Sequence, residues 1–180
     1  IDVLLLVRDP LDHAISVYGQ MVKRHCFSGT IEDWLTVYDF PEVLLRFLNV
    51  LNNTEVDVSL RVEHFAKQRK NLTDCLLSWL MLPRESSWHS LSESCVNRSL
   101  TQSELTMIRW LNSCDTSLGL KTGEILINRL PQLKGVTFPP SRKAVQKFVH
   151  KWKSMVIDIN DRLPSSAQLS LPCVDDQDLD

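Results

Sequence analysis

The first seven residues, IDVLLLV, constrain this chain more than any other stretch. A short run of Val, Ile and Leu, with Asp2 its one polar residue, is the pattern of a strand covered on both faces, as in parallel sheets. Arg8-Asp9-Pro10 ends it. Asp9 can cap a helix, and Pro10 suits a helix's first turn. Leu11, Ala14, Ile15, Tyr18, Met21 and Val22 then recur at helical spacing up to Arg24. Strand, sharp turn and helix open a crossover unit, and a parallel strand needs partners reached by such crossovers. The sequence opens directly on this strand. The pattern therefore predicts further strands upstream and a chain that is a piece of a longer protein.

The remaining pattern alternates helices with one more strand. Helices are expected at Ile31–Tyr38, capped by Thr30, and from Pro41 to Leu51. Val56, Val58, Leu60 and Val62 alternate, which predicts a strand over Val56–Val62. One long helix is expected over His64–Leu82. Pro83–Ser94 and Gly135–Pro140 read as loops. Thr101-Gln102-Ser103-Glu104 is a capping box, and the helix it opens turns Leu105, Ile108, Leu111 and Trp110 inward. Further helices are expected at Leu120–Leu130 and Arg142–Leu163, with Pro164 as the stop. The fold class is α/β, parallel strands under a large helical layer. Residues 1–163 read as the C-terminal portion of one domain, and residues 164–180 as an acidic, mobile tail.

Charge narrows the partners. Twenty Lys and Arg stand against 22 Asp and Glu, a net −2. No broad basic field exists for duplex nucleic acid, so any anion site must be local. No apolar run approaches the ~20 residues of a membrane-spanning helix. Cys26, Cys75, Cys95, Cys114 and Cys173 are widely spaced and odd in number. This disfavours both a zinc site and a complete disulfide framework, and predicts mostly buried thiols. Sequons stand at Asn52, Asn71 and Asn97.

The chemistry concentrates in Leu5–Gln20. Arg8 falls at the carboxyl end of the first strand, where open α/β folds bind ligands. Ser16 falls two turns into the next helix, whose first turn adds free N–H groups and a positive dipole end. A guanidinium and a hydroxyl so placed can hold one phosphate. Two ordinary fates compete: Arg8 paired with Asp12 or another carboxylate, and Ser16 bonded back to the Asp12 carbonyl.

Arg8, Asp9, Pro10, Asp12, Ser16 and Tyr18 form R-D-P-x-D-x-x-x-S-x-Y. This resembles the 3′-phosphate motif of sulfotransferases that use 3′-phosphoadenosine 5′-phosphosulfate (PAPS). The resemblance extends more loosely through Val58–Leu82, Val96–Leu100 with the capped helix to Leu111-Asn112, and Ile159–Leu163. It implies a P-loop-like sulfotransferase fold, cofactor binding through Arg8 and Ser16, and sulfuryl transfer to a hydroxyl acceptor such as a carbohydrate or small metabolite. The family's Lys-bearing 5′-phosphosulfate loop and its His or Glu base lie upstream of this motif and have no counterpart here, so no catalytic residue is assigned and this chain alone is expected to be inactive. Arg142-Lys143 resembles part of a C-terminal Arg-Lys-Gly that touches the same phosphate in cytosolic members. Ala144 departs from it, and two readings stay open: Arg142 and Lys143 as further phosphate contacts, or an ordinary solvated basic face that Lys147, Lys151 and Lys153 continue.

Other residues carry less. His13 reads as a helix-surface histidine, Glu63-His64 as a helix cap, and Trp34, Trp79, Trp110 and Trp152 as core anchors. Trp88, in a polar loop, could meet an acceptor. The competing functional class is a catalytically inactive sulfotransferase-like module that binds a partner. Unpaired cysteines suit the cytoplasm and sequons the Golgi lumen; the expectation is cytoplasmic.

Overall fold

A computed structural model describes residues 1–83, 100–129 and 139–174. Strand β1 (Asp2–Val7) and strand β2 (Ser59–His64) pair in parallel, in register from Asp2↔Ser59 to Val7↔His64. Between them run α1 (Pro10–Arg24), α2 (Ile31–Val37) and α3 (Phe40–Asn53). After β2 come α4 (Phe65–Gln68), α5 (Leu72–Trp79), α6 (Gln102–Cys114), α7 (Thr116–Arg129) and α8 (Arg142–Asn160), then a 3-10 turn at Ser165–Ala167. The class is mixed α/β, mostly helical, with a small parallel sheet. No helix among the described residues is long and apolar enough to cross a membrane.

The described residues divide into two compact units. The first comprises residues 1–11, 39–83 and 146–174; the second comprises 12–38, 100–129 and 139–145. The first holds the sheet. Its core includes Val7, Val62, Leu44 and Leu48 of α3, Cys75, and Phe148, Trp152, Val156 and Ile159 of α8. Spacings of three and four along α3 and α8 place these side chains on one stripe of each helix. The second unit is helical. Tyr18 and Val22 of α1, Ile31, Leu100, Leu105, Ile108 and Leu126 form one buried cluster. Tyr18, Phe27, Trp34 and Tyr38 add successive edge-on ring contacts. Inside it, burial pushes the Lys23 ammonium below its ordinary pKa and the Tyr18 phenol above its own.

The expected cap at Thr30 and the expected capping box at Thr101 both form, and Thr30 proves to open a box as well. Thr30 accepts from the Asp33 N–H and Thr101 from the Glu104 N–H, and each acidic partner reaches back to the cap's N–H. Several expectations are corrected. The second strand lies at Ser59–His64, because pairing with six residues of β1 sets its register. Val56 and Leu60 of the alternating run are exposed, and Val3–Leu6 are only half-buried, since each strand has one neighbour. The helix expected over His64–Leu82 is two short ones. Asn71 leaves helical geometry at φ −124°, its N–H closing a turn on the Gln68 carbonyl. Helix α7 starts at Thr116, not Leu120, because Asp115 accepts the Ser117 and Leu118 N–H groups. Trp110 is 64% exposed, since Leu105, Ile108 and Asn112 set the inward face of α6.

Cysteines and tail also differ. Cys26, Cys75, Cys114 and Cys173 are free thiols, but only Cys75 is buried. The segment expected as a mobile tail begins with a held stretch: Ala167 and Leu169 are buried, and Asn160 grips Leu169 through both its N–H and its carbonyl. The loops predicted over Pro83–Ser94 and Gly135–Pro140, with Trp88, Cys95 and the Asn97 sequon, fall largely outside the described residues, as do the acidic positions 175–180.

Candidate anion site at the carboxyl end of the parallel strands

Strand β1 ends at Val7, so Arg8 and Asp9 form the whole link to α1. The link is short because Pro10, fully buried, starts the helix at once. Arg8 is half-buried, and its guanidinium carbon sits 5.6 Å from the centre of the Phe65 ring. That distance suits a cation–π contact, which holds the side chain without consuming its donors. Among the described residues, Arg8 has no ion pair and no side-chain hydrogen bond. The expected alternative, pairing with Asp12 or a neighbouring carboxylate, is not formed there.

Ser16 is exposed on α1, and its hydroxyl has no hydrogen bond among the described residues, so the back-bond to Asp12 is absent as well. Tyr18 of the same motif is buried, and its hydroxyl donates to the Gly29 carbonyl at 3.2 Å. The motif's tyrosine therefore anchors α1 in the second unit. Arg142 and Lys143 are exposed in the first turn of α8. Arg8 belongs to the first unit, and Ser16, Arg142 and Lys143 to the second. The chain joins Arg8 to Ser16 through the continuous helix α1.

The residue the sequence misread is His64. As the last residue of β2 it stands beside Val7, which brings its imidazole to the link. It occupies the cap position of α4 without capping through its side chain. Its Nε2 instead lies 3.3 Å from Asp9 Oδ1. His64 is 5% exposed, and its Nδ1 has no partner among the described residues. Asp9 Oδ1 also accepts the Ser170 N–H at 2.6 Å, so this carboxylate serves tertiary contacts where a helix cap was expected. Glu63 beside it is fixed by Arg61 and Gln68. The usable signal was register: two six-residue parallel strands put His64 level with Val7.

His13 also differs from its surface reading. It is half-buried, with Nδ1 2.8 Å from the Tyr38 hydroxyl. Trp152 is a core anchor as expected, at 1% exposure.

The arrangement presents a cation steadied by an aromatic ring at a sheet's carboxyl end, with a pinned carboxylate next to it in sequence. Arg can meet two oxygens of a phosphate or sulfate with paired N–H donors. No known protein family, curated protein or solved structure matches this chain.

Proposed function

We propose that this chain is part of a PAPS-dependent sulfotransferase, with a P-loop-like fold in the complete protein, and that Arg8 and Ser16 hold the 3′-phosphate of the cofactor. The observation that supports the reading best is the state of Arg8. Its guanidinium sits at the carboxyl end of a parallel strand, steadied by Phe65, with no acceptor among the described residues. A half-buried cation in that state suits an anionic ligand. Ser16, exposed on the helix that follows, supplies a neutral donor. Arg142 and Lys143 are further cations for the same nucleotide.

In the complete reaction a base takes the proton of an acceptor hydroxyl, such as that of a carbohydrate. The oxygen attacks sulfur in line, the bond from sulfur to the bridging phosphate oxygen breaks, and 3′-phosphoadenosine 5′-phosphate (PAP) leaves. Binding groups contribute by positioning and by stabilising charge. The groups assigned here bind; the base and the 5′-phosphosulfate loop are not among them. The activity expected of these 180 residues is nucleotide binding without transfer. The setting proposed for the enzyme is the cytoplasm, with the Golgi lumen as the other.

Isothermal titration with PAP and AMP tests the assignment. A charge-assisted contact to the extra phosphate is worth roughly 1.5–3 kcal/mol, so PAP should bind about tenfold or more tighter than AMP. Arg8→Ala should remove most of that preference. Equal affinity of the unaltered chain for the two nucleotides overturns the 3′-phosphate assignment.

A further inference from the structure

The segment after α8 is built into the same end of the sheet. Lys67 Nζ of α4 donates to the Ser166 carbonyl at 2.6 Å. Ala167 and Leu169 are buried, while Ser166, Gln168 and Ser170 between and beside them face outward. Asn160, from the last turn of α8, donates through Nδ2 to the Leu169 carbonyl at 2.9 Å and accepts the Leu169 N–H through Oδ1 at 2.8 Å. That two-point grip sets the direction of the chain at Leu169, and the next N–H, that of Ser170, then meets Asp9 Oδ1 at 2.6 Å. Asp9 Oδ1 also lies 3.3 Å from His64 Nε2. One carboxylate oxygen in the two-residue β1–α1 link thus receives the C-terminal segment and the end of β2 together.

We propose that residues 165–170 are a strap that clamps the β1–α1 link through Asp9, and that Asn160 and the Ser170 N–H are positioning groups for Arg8. The purpose it serves rests on the nucleotide reading above. Arg8 is the residue next to the clamped one. A link of two residues has few ways to move, and fixing Asp9 removes most of them. With Asp9 held, the guanidinium is presented over Phe65; with Asp9 released, the link gains freedom that a ligand must remove on binding. Strap docking and anion binding therefore favour each other, and by linkage each strengthens the other equally.

Ser170→Pro isolates the contact, because it deletes one backbone donor at an exposed position. Ser170→Ala keeps that donor. Hydrogen exchange of the full chain without nucleotide is the first readout. Ser170→Pro should raise exchange about tenfold or more over residues 7–11 as well as over 165–174, as the loss of a charge-assisted bond requires, whereas Ser170→Ala should match the unaltered chain. Faster exchange confined to residues 165–174 overturns the clamp. Asn160→Ala, which loosens the strap without adding a proline, gives the same decision if Ser170→Pro does not fold. Titration with PAP and AMP is the second readout. Loss of strap contact should lower PAP affinity about tenfold, within the usual range of coupling between sites, with less effect on AMP. Unchanged PAP affinity in a chain whose residues 7–11 exchange faster overturns the positioning role. An unaltered chain with no preference for PAP defeats the nucleotide reading, and exchange over residues 7–11 still decides the clamp.

Discussion

Asn112 shows how much one polar side chain can fix. It is 6% exposed on α6, yet its Nδ2 donates to the carbonyls of Val22, at 2.9 Å, and Phe27, at 3.1 Å. It thus satisfies two acceptors where α1 ends and the chain turns toward α2. Gly119 of α7 lies against it: a Cβ there would collide with Asn112 Oδ1 and stand 2.9 Å from its Cγ. Gly→Ala inside a helix ordinarily gains about 1 kcal/mol. Here overpacking against a buried, doubly bonded amide opposes it at about 1–3 kcal/mol. Gly119→Ala should therefore lower stability in urea unfolding. Asn112→Ala should cost about 1–3 kcal/mol through the orphaned carbonyls. The double variant should lose clearly less than the sum, because the second change removes the collision caused by the first. Simple additivity would show that Gly119 and Asn112 do not meet. Neither residue announces itself in the sequence: Asn112 holds a position in the α6 pattern where an apolar residue is expected, and a glycine inside a helix states no partner.

At the scale of elements, legibility followed local chemistry. Helices α2 and α6 begin where Thr30 and Thr101 mark them, since a capping box is written in four consecutive residues. Strand β2 and the broken helix after it were misplaced because their limits come from a partner strand and from the turn at Asn71. The α2 box makes a pH prediction. Asp33 Oδ2 accepts the Thr30 N–H and the Thr30 hydroxyl, both at 2.8 Å. The backbone bond first, then the hydroxyl, holds its carboxyl below the ordinary aspartate pKa. A depressed carboxylate contributes stability that is complete above its unfolded pKa and is lost as pH falls through its folded pKa. Asp33→Asn should therefore be less stable than the unaltered chain at about pH 6, and the gap should narrow toward about pH 3 as the unaltered chain loses its charge. A gap that stays constant over that interval would mean that the ionised box adds nothing. Asp33 is exposed, so salt should shrink the same gap.

The division of the whole molecule was the least legible feature. Hydrophobic period is continuous through α1 and α8, although the boundary between the two compact units falls after Leu11 in one and after Val145 in the other. A helix shows in sequence which stripe it buries, and nothing in that stripe marks where one compact unit ends and the other begins. The candidate site divides in the same way. Arg8 and Ser16 could be read from the motif, while His64, Asn160 and Ser170 reach Asp9 only through tertiary folding. Two fully buried isoleucines test whether the cores are energetically distinct: Ile108 belongs to the helical unit, and Ile159 to the unit that holds the sheet. Ile→Val removes one methylene at a cost of about 0.5–1.5 kcal/mol and leaves enough stability to measure both together. If each core is packed on its own, the double variant should cost the sum of the singles within about 0.5 kcal/mol. Exchange protection should fall mainly in the unit that carries each change. A double variant that departs from the sum by more than about 1 kcal/mol would mean that the two sets of buried residues respond as one core.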